Sequence, residues 1–169
     1  MEKLEIPKTE WDLTPLLQGD DDPSIVQKRE EIERRVKNFV EKWRNRDDYL
    51  RKPEILKEAL DEYEFLMRNY GNGGKEEFYF HLRATQDEAN PQVKALYNKS
   101  SDFSKKIAND LRFFILRIAR IPEAIQKDFL LFEGLKEYKH FLERKFAEAE
   151  YMLNEEEEKI ISLKSGPSY

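Results

Sequence analysis

The chain of 169 residues contains no cysteine. That removes disulfide frameworks and thiolate metal sites from consideration. Glycine and proline are sparse, at six and seven, and most stand between periodic segments rather than inside them. A fold of many short strands and tight turns needs more of both. The longest apolar runs, residues 113–116 and 129–132, are four residues each, against the ~20 that cross a bilayer as a helix. The opening residues have no apolar stretch of the kind a secretory signal needs. A cytoplasmic protein with no membrane partner is the expectation. Positive charge is not in excess either. Thirty lysines and arginines stand against thirty-five acids, a net charge of −5, and the two signs are interleaved. No basic face results, so no nucleic-acid partner is expected.

What is abundant is charge and aromatic mass together. Charged residues make up 38% of the chain, yet it carries 11 Phe, 8 Tyr and 2 Trp. Rings on that scale must be buried in a core or against a partner. Their spacing is helical. Ile25, Ile32, Val36, Phe39, Val40 and Trp43 recur at threes and fours and predict a helix over about 23–44. Leu56, Ala59, Leu60, Tyr63, Leu66, Met67 and Tyr70 predict a second, opened by Lys52-Pro53. It is stopped by Gly71-Asn72-Gly73-Gly74, since glycine accepts the left-handed conformation of a helix C-terminus. A third is expected to carry Phe78, Leu82 and Thr85 and to end near Asn90. Asn90-Pro91 is a cap followed by a first-turn proline. It opens the longest helix, near residues 91–120, with Val93, Leu96, Phe103, Ile107, Leu111, Phe114 and Ile118 along one side. Pro122 breaks that helix and starts a shorter one bearing Ile125, Phe129 and Leu130. Beyond Gly134 comes a helix with Tyr138, Phe141, Leu142 and Phe146.

The ends read differently. Residues 1–22 are expected to form an arm with one helical turn, Thr14 as its N-cap and Pro15 at its first position. Asp22-Pro23 repeats that signal. Asn154 with Glu157 three residues on is a capping box in its asparagine form, and Glu155 and Glu156 favour the same helix end. The expected organisation is an arm over 1–22, a helical lobe over 23–151, and over 152–169 the start of another helix. The fold class is all-α, a multi-helix antiparallel bundle of about six to seven helices.

Candidate chemistry is thin. A zinc peptidase helix of the HExxH type needs two histidines four apart with a glutamate between them. Only His81 and His140 exist, and neither stands in that pattern. Glu137 and Glu143 flank His140 at helical spacing, but His140 lies off the apolar stripe and reads as a surface residue. Asp20, Asp21 and Asp22 are contiguous, unlike the alternating ligands of a calcium loop, and read as helix-start residues. The four acids from Glu155 to Glu158 read as solvated and dipole-stabilised rather than as an acid–base pair. Gly71 to Lys75 lacks the spacing and preceding strand of a phosphate loop. No serine sits in G-x-S-x-G. No catalytic, cofactor-binding or metal-binding residue is assigned.

Several short segments nevertheless occur in a meaningful order. Trp11-Asp12-Leu13-Thr14-Pro15-Leu16 resembles the opening of oligoendopeptidase F-like zinc peptidases. The stretch from Tyr79 to Asp87, then Asn90-Pro91 and Leu96-Tyr97, resembles that family's aromatic and acidic segment before a long helix. Tyr138-Lys139-His140-Phe141-Leu142-Glu143 and the residues from Glu155 to Leu163 resemble the end of its N-terminal helical lobe. The resemblance implies a zinc metallopeptidase that cleaves short peptides in an enclosed cleft, with this lobe as one wall or cap. It places the zinc and its ligands in a C-terminal catalytic domain, the expected partner, which these residues do not include. The helix opened at Asn154 has only about ten residues before Gly166-Pro167, and this is read as the start of the passage toward that domain. The alternative is a free-standing helical interaction module without peptidase activity. On the first reading the lobe should expose an apolar patch, with Phe129, Phe132 and Phe146 as its candidates.

Overall fold

The computed structural model describes residues 11–70 and 74–149, and these fold as helices and connecting turns with no strand among them. The α-helices are α1 (Ser24–Trp43), α2 (Pro53–Tyr70), α3 (Gly74–Gln86), α4 (Pro91–Ala119), α5 (Glu123–Leu131) and α6 (Lys139–Glu148). Five of them are ten residues or longer, fewer than the six to seven expected. The segment from Pro122 to Gly134 yields only the nine-residue α5. The helix predicted from Asn154 lies outside the described residues. Two short 3-10 helices complete the set, Asp48–Leu50 between α1 and α2 and Glu133–Tyr138 before α6. The latter takes Tyr138 out of the helix it was expected to join.

Helix starts follow local chemistry closely. The Asn90 side chain accepts the backbone N–H groups of Gln92 at 3.0 Å and Val93 at 3.3 Å, the donors an N-cap is meant to satisfy. Asp22 Oδ1 accepts the N–H of Ser24 at 2.8 Å at the mouth of α1. Thr14 is not the cap of the arm. Its own N–H and hydroxyl both donate to Asp12 Oδ1, at 3.0 and 2.7 Å. A carboxylate two residues upstream is the stronger acceptor, and the Thr14 hydroxyl is used as a donor.

The 29-residue α4 is the spine, and two apolar clusters share it. Its C-terminal half packs with α1, α2, α5, α6 and both 3-10 helices around Phe39, Trp43, Tyr49, Leu56, Phe113, Phe114, Phe129 and Leu142. Rings meet edge to face, Phe39 on Phe114 at 5.1 Å and Trp43 on Tyr49 at 5.7 Å between centroids, the geometry the ring quadrupole favours. Two arginines stack on Phe113, Arg44 at 4.8 Å and Arg117 at 5.9 Å. Arg44 then donates to the Asp110 carbonyl, and Arg117 to the Arg44 carbonyl at 2.6 Å. The C-terminus of α1 is thus tied to α4 by a cation at its negative end.

The second cluster joins the arm to α3 and the first half of α4, through Leu17, Tyr79 and Phe80, with Leu13, Leu16, Ile25, Leu96 and Tyr97 against them. Here the expected stripe is rotated. Phe78 is 54% exposed, whereas Glu76, Tyr79 and Phe80 are buried. The inward face of α3 reads 76, 79, 80 and 83 because its two sides must meet both an apolar arm and charged partners. Glu76 pairs with Arg29 of α1, itself 5.1 Å over the Phe103 ring. Helix α3 also ends at Gln86, short of Asn90, so that Asn90 is free to cap α4.

Candidate functional site

The groove between the arm and α3 has a volume of about 860 Å³. Trp11, Asp12, Leu13, Thr14, Leu17 and Gln18 form one side. Tyr79, Arg83, Thr85, Gln86 and Asp87 form the other.

Its frame is one carboxylate. Asp20 accepts the Tyr79 hydroxyl at 2.8 Å and the Arg83 guanidinium through Nε at 3.0 Å and an NH2 at 3.1 Å. Bidentate guanidinium–carboxylate pairs are the directional form of the ion pair. The Arg83 bonds hold the Asp20 carboxyl below its usual range against the opposing effect of burial. Burial and then Asp20 push the Tyr79 phenol up to about 12. At the mouth, Gln86 Nε2 donates to the Trp11 carbonyl at 3.1 Å, which sets the spacing of the two walls. The Trp11 ring is 51% exposed, while the other tryptophan, Trp43, is fully buried.

A second polar cluster ties α2 to the 3-10 helix Glu133–Tyr138. The Tyr138 hydroxyl lies 2.8 Å from both Asp61 Oδ1 and Glu64 Oε2. One proton serves one acceptor at a time, so the hydroxyl alternates between them. Burial, and after it the two carboxylates, push the Tyr138 phenol well above its usual range. The Asp61 carboxyl is opposed first by burial, yet sits below its usual range because Lys57 and Tyr138 both bond to it. Fully bonded and braced between elements, this cluster is a staple.

The motifs weighed in the sequence separate in space. His81 is an exposed residue of α3, 5.6 Å from the Tyr97 ring. His140 is exposed on α6, and Glu137 and Glu143 are exposed beside it. No three histidine, aspartate or glutamate side chains stand together as a metal set among the described residues. The acidic run at the start of α1 divides its work: Asp22 caps the helix and Asp20 braces the groove. Glu155 to Glu158 and Gly71 to Gly73 lie outside the described residues. No helix of the described residues is long and apolar enough to cross a membrane. Of the three rings expected in an exposed patch, Phe129 is fully buried and Phe146 is packed against the main cluster. Phe132 is 36% exposed, and its neighbour Leu131, at 69%, is the most exposed large apolar side chain described. The reason is the turn that ends α5. Phe129 falls inward one helical step before it, while Leu131 and Phe132 follow the chain out.

Residues 117–169, just under a third of the chain, match the family model described as Oligopeptidase F, which covers the N-terminal region of such peptidases. The match begins at Arg117, the residue that caps α1, and takes in α5 and α6. No curated protein and no solved structure matches the chain.

Proposed function

We propose, on the premise that residues 117–169 are an oligoendopeptidase F-like N-terminal region, that this chain forms the helical lobe walling or capping the peptide cleft of a zinc peptidase. The reading is carried by the family match. It is supported by Leu131 and Phe132, an apolar pair exposed within the matched segment, of the sort that marks a docking surface rather than a finished exterior. The 169 residues hold no HExxH. The zinc, its ligands and the general base are therefore assigned to a catalytic domain outside them, and the lobe contributes shape: it admits a flexible peptide and turns away a folded protein. Short peptides are the substrates of the whole enzyme, and the catalytic domain is the lobe's partner.

The test is the reading frame beyond the codon for Tyr169 in the source gene. An open frame running into HExxH and a downstream glutamate is the expected result. A stop codon there, with no such motif nearby, would leave a free-standing helical module in its place. Hydrolysis of a quenched peptide by the purified 169-residue chain would overturn the division of labour.

A further inference from the structure

We infer that the groove between the arm and α3 is a subsite for a basic side chain of a bound peptide. The inference rests on the peptide-handling role proposed above. Three of the groove's lining residues carry a charge at neutral pH: Asp12, Arg83 and Asp87. Arg83 is balanced by Asp20, whose two oxygens take the Nε and one NH2 of its guanidinium. What remains is the negative charge of Asp12 and Asp87, one on each wall.

Both carboxylates keep an oxygen with no partner among the described residues. Asp12 uses Oδ1 for its two bonds from Thr14, leaving Oδ2 without a partner among the described residues. The Thr14 bonds hold its carboxyl below the usual range, so it stays ionised at physiological pH. Asp87 uses Oδ2 to accept Asn90 Nδ2 at 3.0 Å, leaving Oδ1. Asp87 also follows directly on Gln86, the last residue of α3, where the helix presents the negative end of its dipole.

The half-exposed Trp11 also lines the groove, and an indole face is the best of the aromatic surfaces for a cation. Two carboxylates, a helix C-terminus and an indole all favour a guanidinium or ammonium group and disfavour an anion. Gln18 and Gln86 on the opposing walls offer amide donors and acceptors, suited to the backbone on either side of such a residue.

Trp11 supplies the readout, since Trp43 is fully buried and reports little of the surface. Blocked pentapeptides differing only in a central arginine, norleucine or glutamate would be titrated into the 169-residue chain, with tryptophan emission followed. The arginine peptide is expected to change the emission saturably, and the glutamate peptide to bind at least about tenfold more weakly. Asp12→Asn with Asp87→Asn should lower arginine-peptide affinity roughly fivefold, toward that of the norleucine peptide. Asp87→Lys should shift the preference toward glutamate, a reversal that a merely loosened arm would not produce. Equal binding of the three peptides, no binding of any, or an arginine preference untouched by these substitutions would each overturn the inference. None of these outcomes bears on the reading frame beyond Tyr169, so the two proposals fail separately.

Discussion

Asp20 shows how much one side chain decides. Its carboxylate joins the arm to α3, and without it the Tyr79 hydroxyl and the Arg83 guanidinium, one turn apart on that helix, both lose their partner. Replacing it by alanine should cost about 1–3 kcal/mol in urea unfolding, the usual penalty for stranding a charged hydrogen-bond partner. The pH dependence has a definite sign. Asp20 titrates lower in the folded chain than its ordinary value of 3.8. Its contribution is therefore present above that value and is lost as pH falls through the folded pKa. The D20N chain should show a shallower loss of stability on acidification than the natural chain. Tyr79 behaves in the opposite sense, its phenol rising from 10.0 to about 12. Its contribution is intact below pH 10 and disappears as pH climbs through 12, so Tyr79→Phe should flatten the alkaline limb of the same stability profile.

At the scale of the element, α3 is the informative case. A simple apolar count put Phe78 inside, but the helix is turned so that Phe80 is 1% exposed and Phe78 54%. The two substitutions Phe80→Ala and Phe78→Ala separate these orientations cleanly. The first should cost about 3–5 kcal/mol, as deletion of a buried ring does. The second should stay within roughly 0.5 kcal/mol, as exposed positions usually do. Thermal or chemical unfolding of the pair measures the difference. The opposite order would put Phe78 back on the core face. Helix α4 keeps most of its expected stripe, with Val93, Phe103, Ile107, Leu111, Phe114 and Ile118 buried. Leu96, however, is only partly buried, and Phe113 and Leu116 are buried as well, because the C-terminal half of the helix is packed on more than one side.

For the whole molecule the question is what covers Leu131 and Phe132. If the lobe docks through this pair, the 169-residue chain on its own should bind a hydrophobic dye and self-associate as its concentration rises. Leu131→Lys with Phe132→Lys should suppress both effects while leaving unfolding nearly unchanged, because neither side chain belongs to the buried core. A chain that stays monomeric at high concentration and binds no dye would remove this surface from the docking argument. Sedimentation and dye fluorescence read the two effects independently.

The helical class and the long helix from Asn90-Pro91 were both legible in the residues. Each depends on information local to a few turns: apolar spacing, a cap, a proline. The last of the segments that carry the oligoendopeptidase F-like resemblance, from Tyr138 onward, fall within residues 117–169, which match the Oligopeptidase F family model, while those near Trp11 and Tyr79 lie outside the match. What the sequence alone left open was the face each short helix turns inward, the role of each aspartate in the run at 20–22, and the groove itself. Those depend on partners far away in the chain. Asp20 meets Arg83 across 63 positions, and Gln86 meets Trp11 across 75. Spacing within one helix fixes which residues share a face. Only packing against the neighbouring helices selects which face is buried.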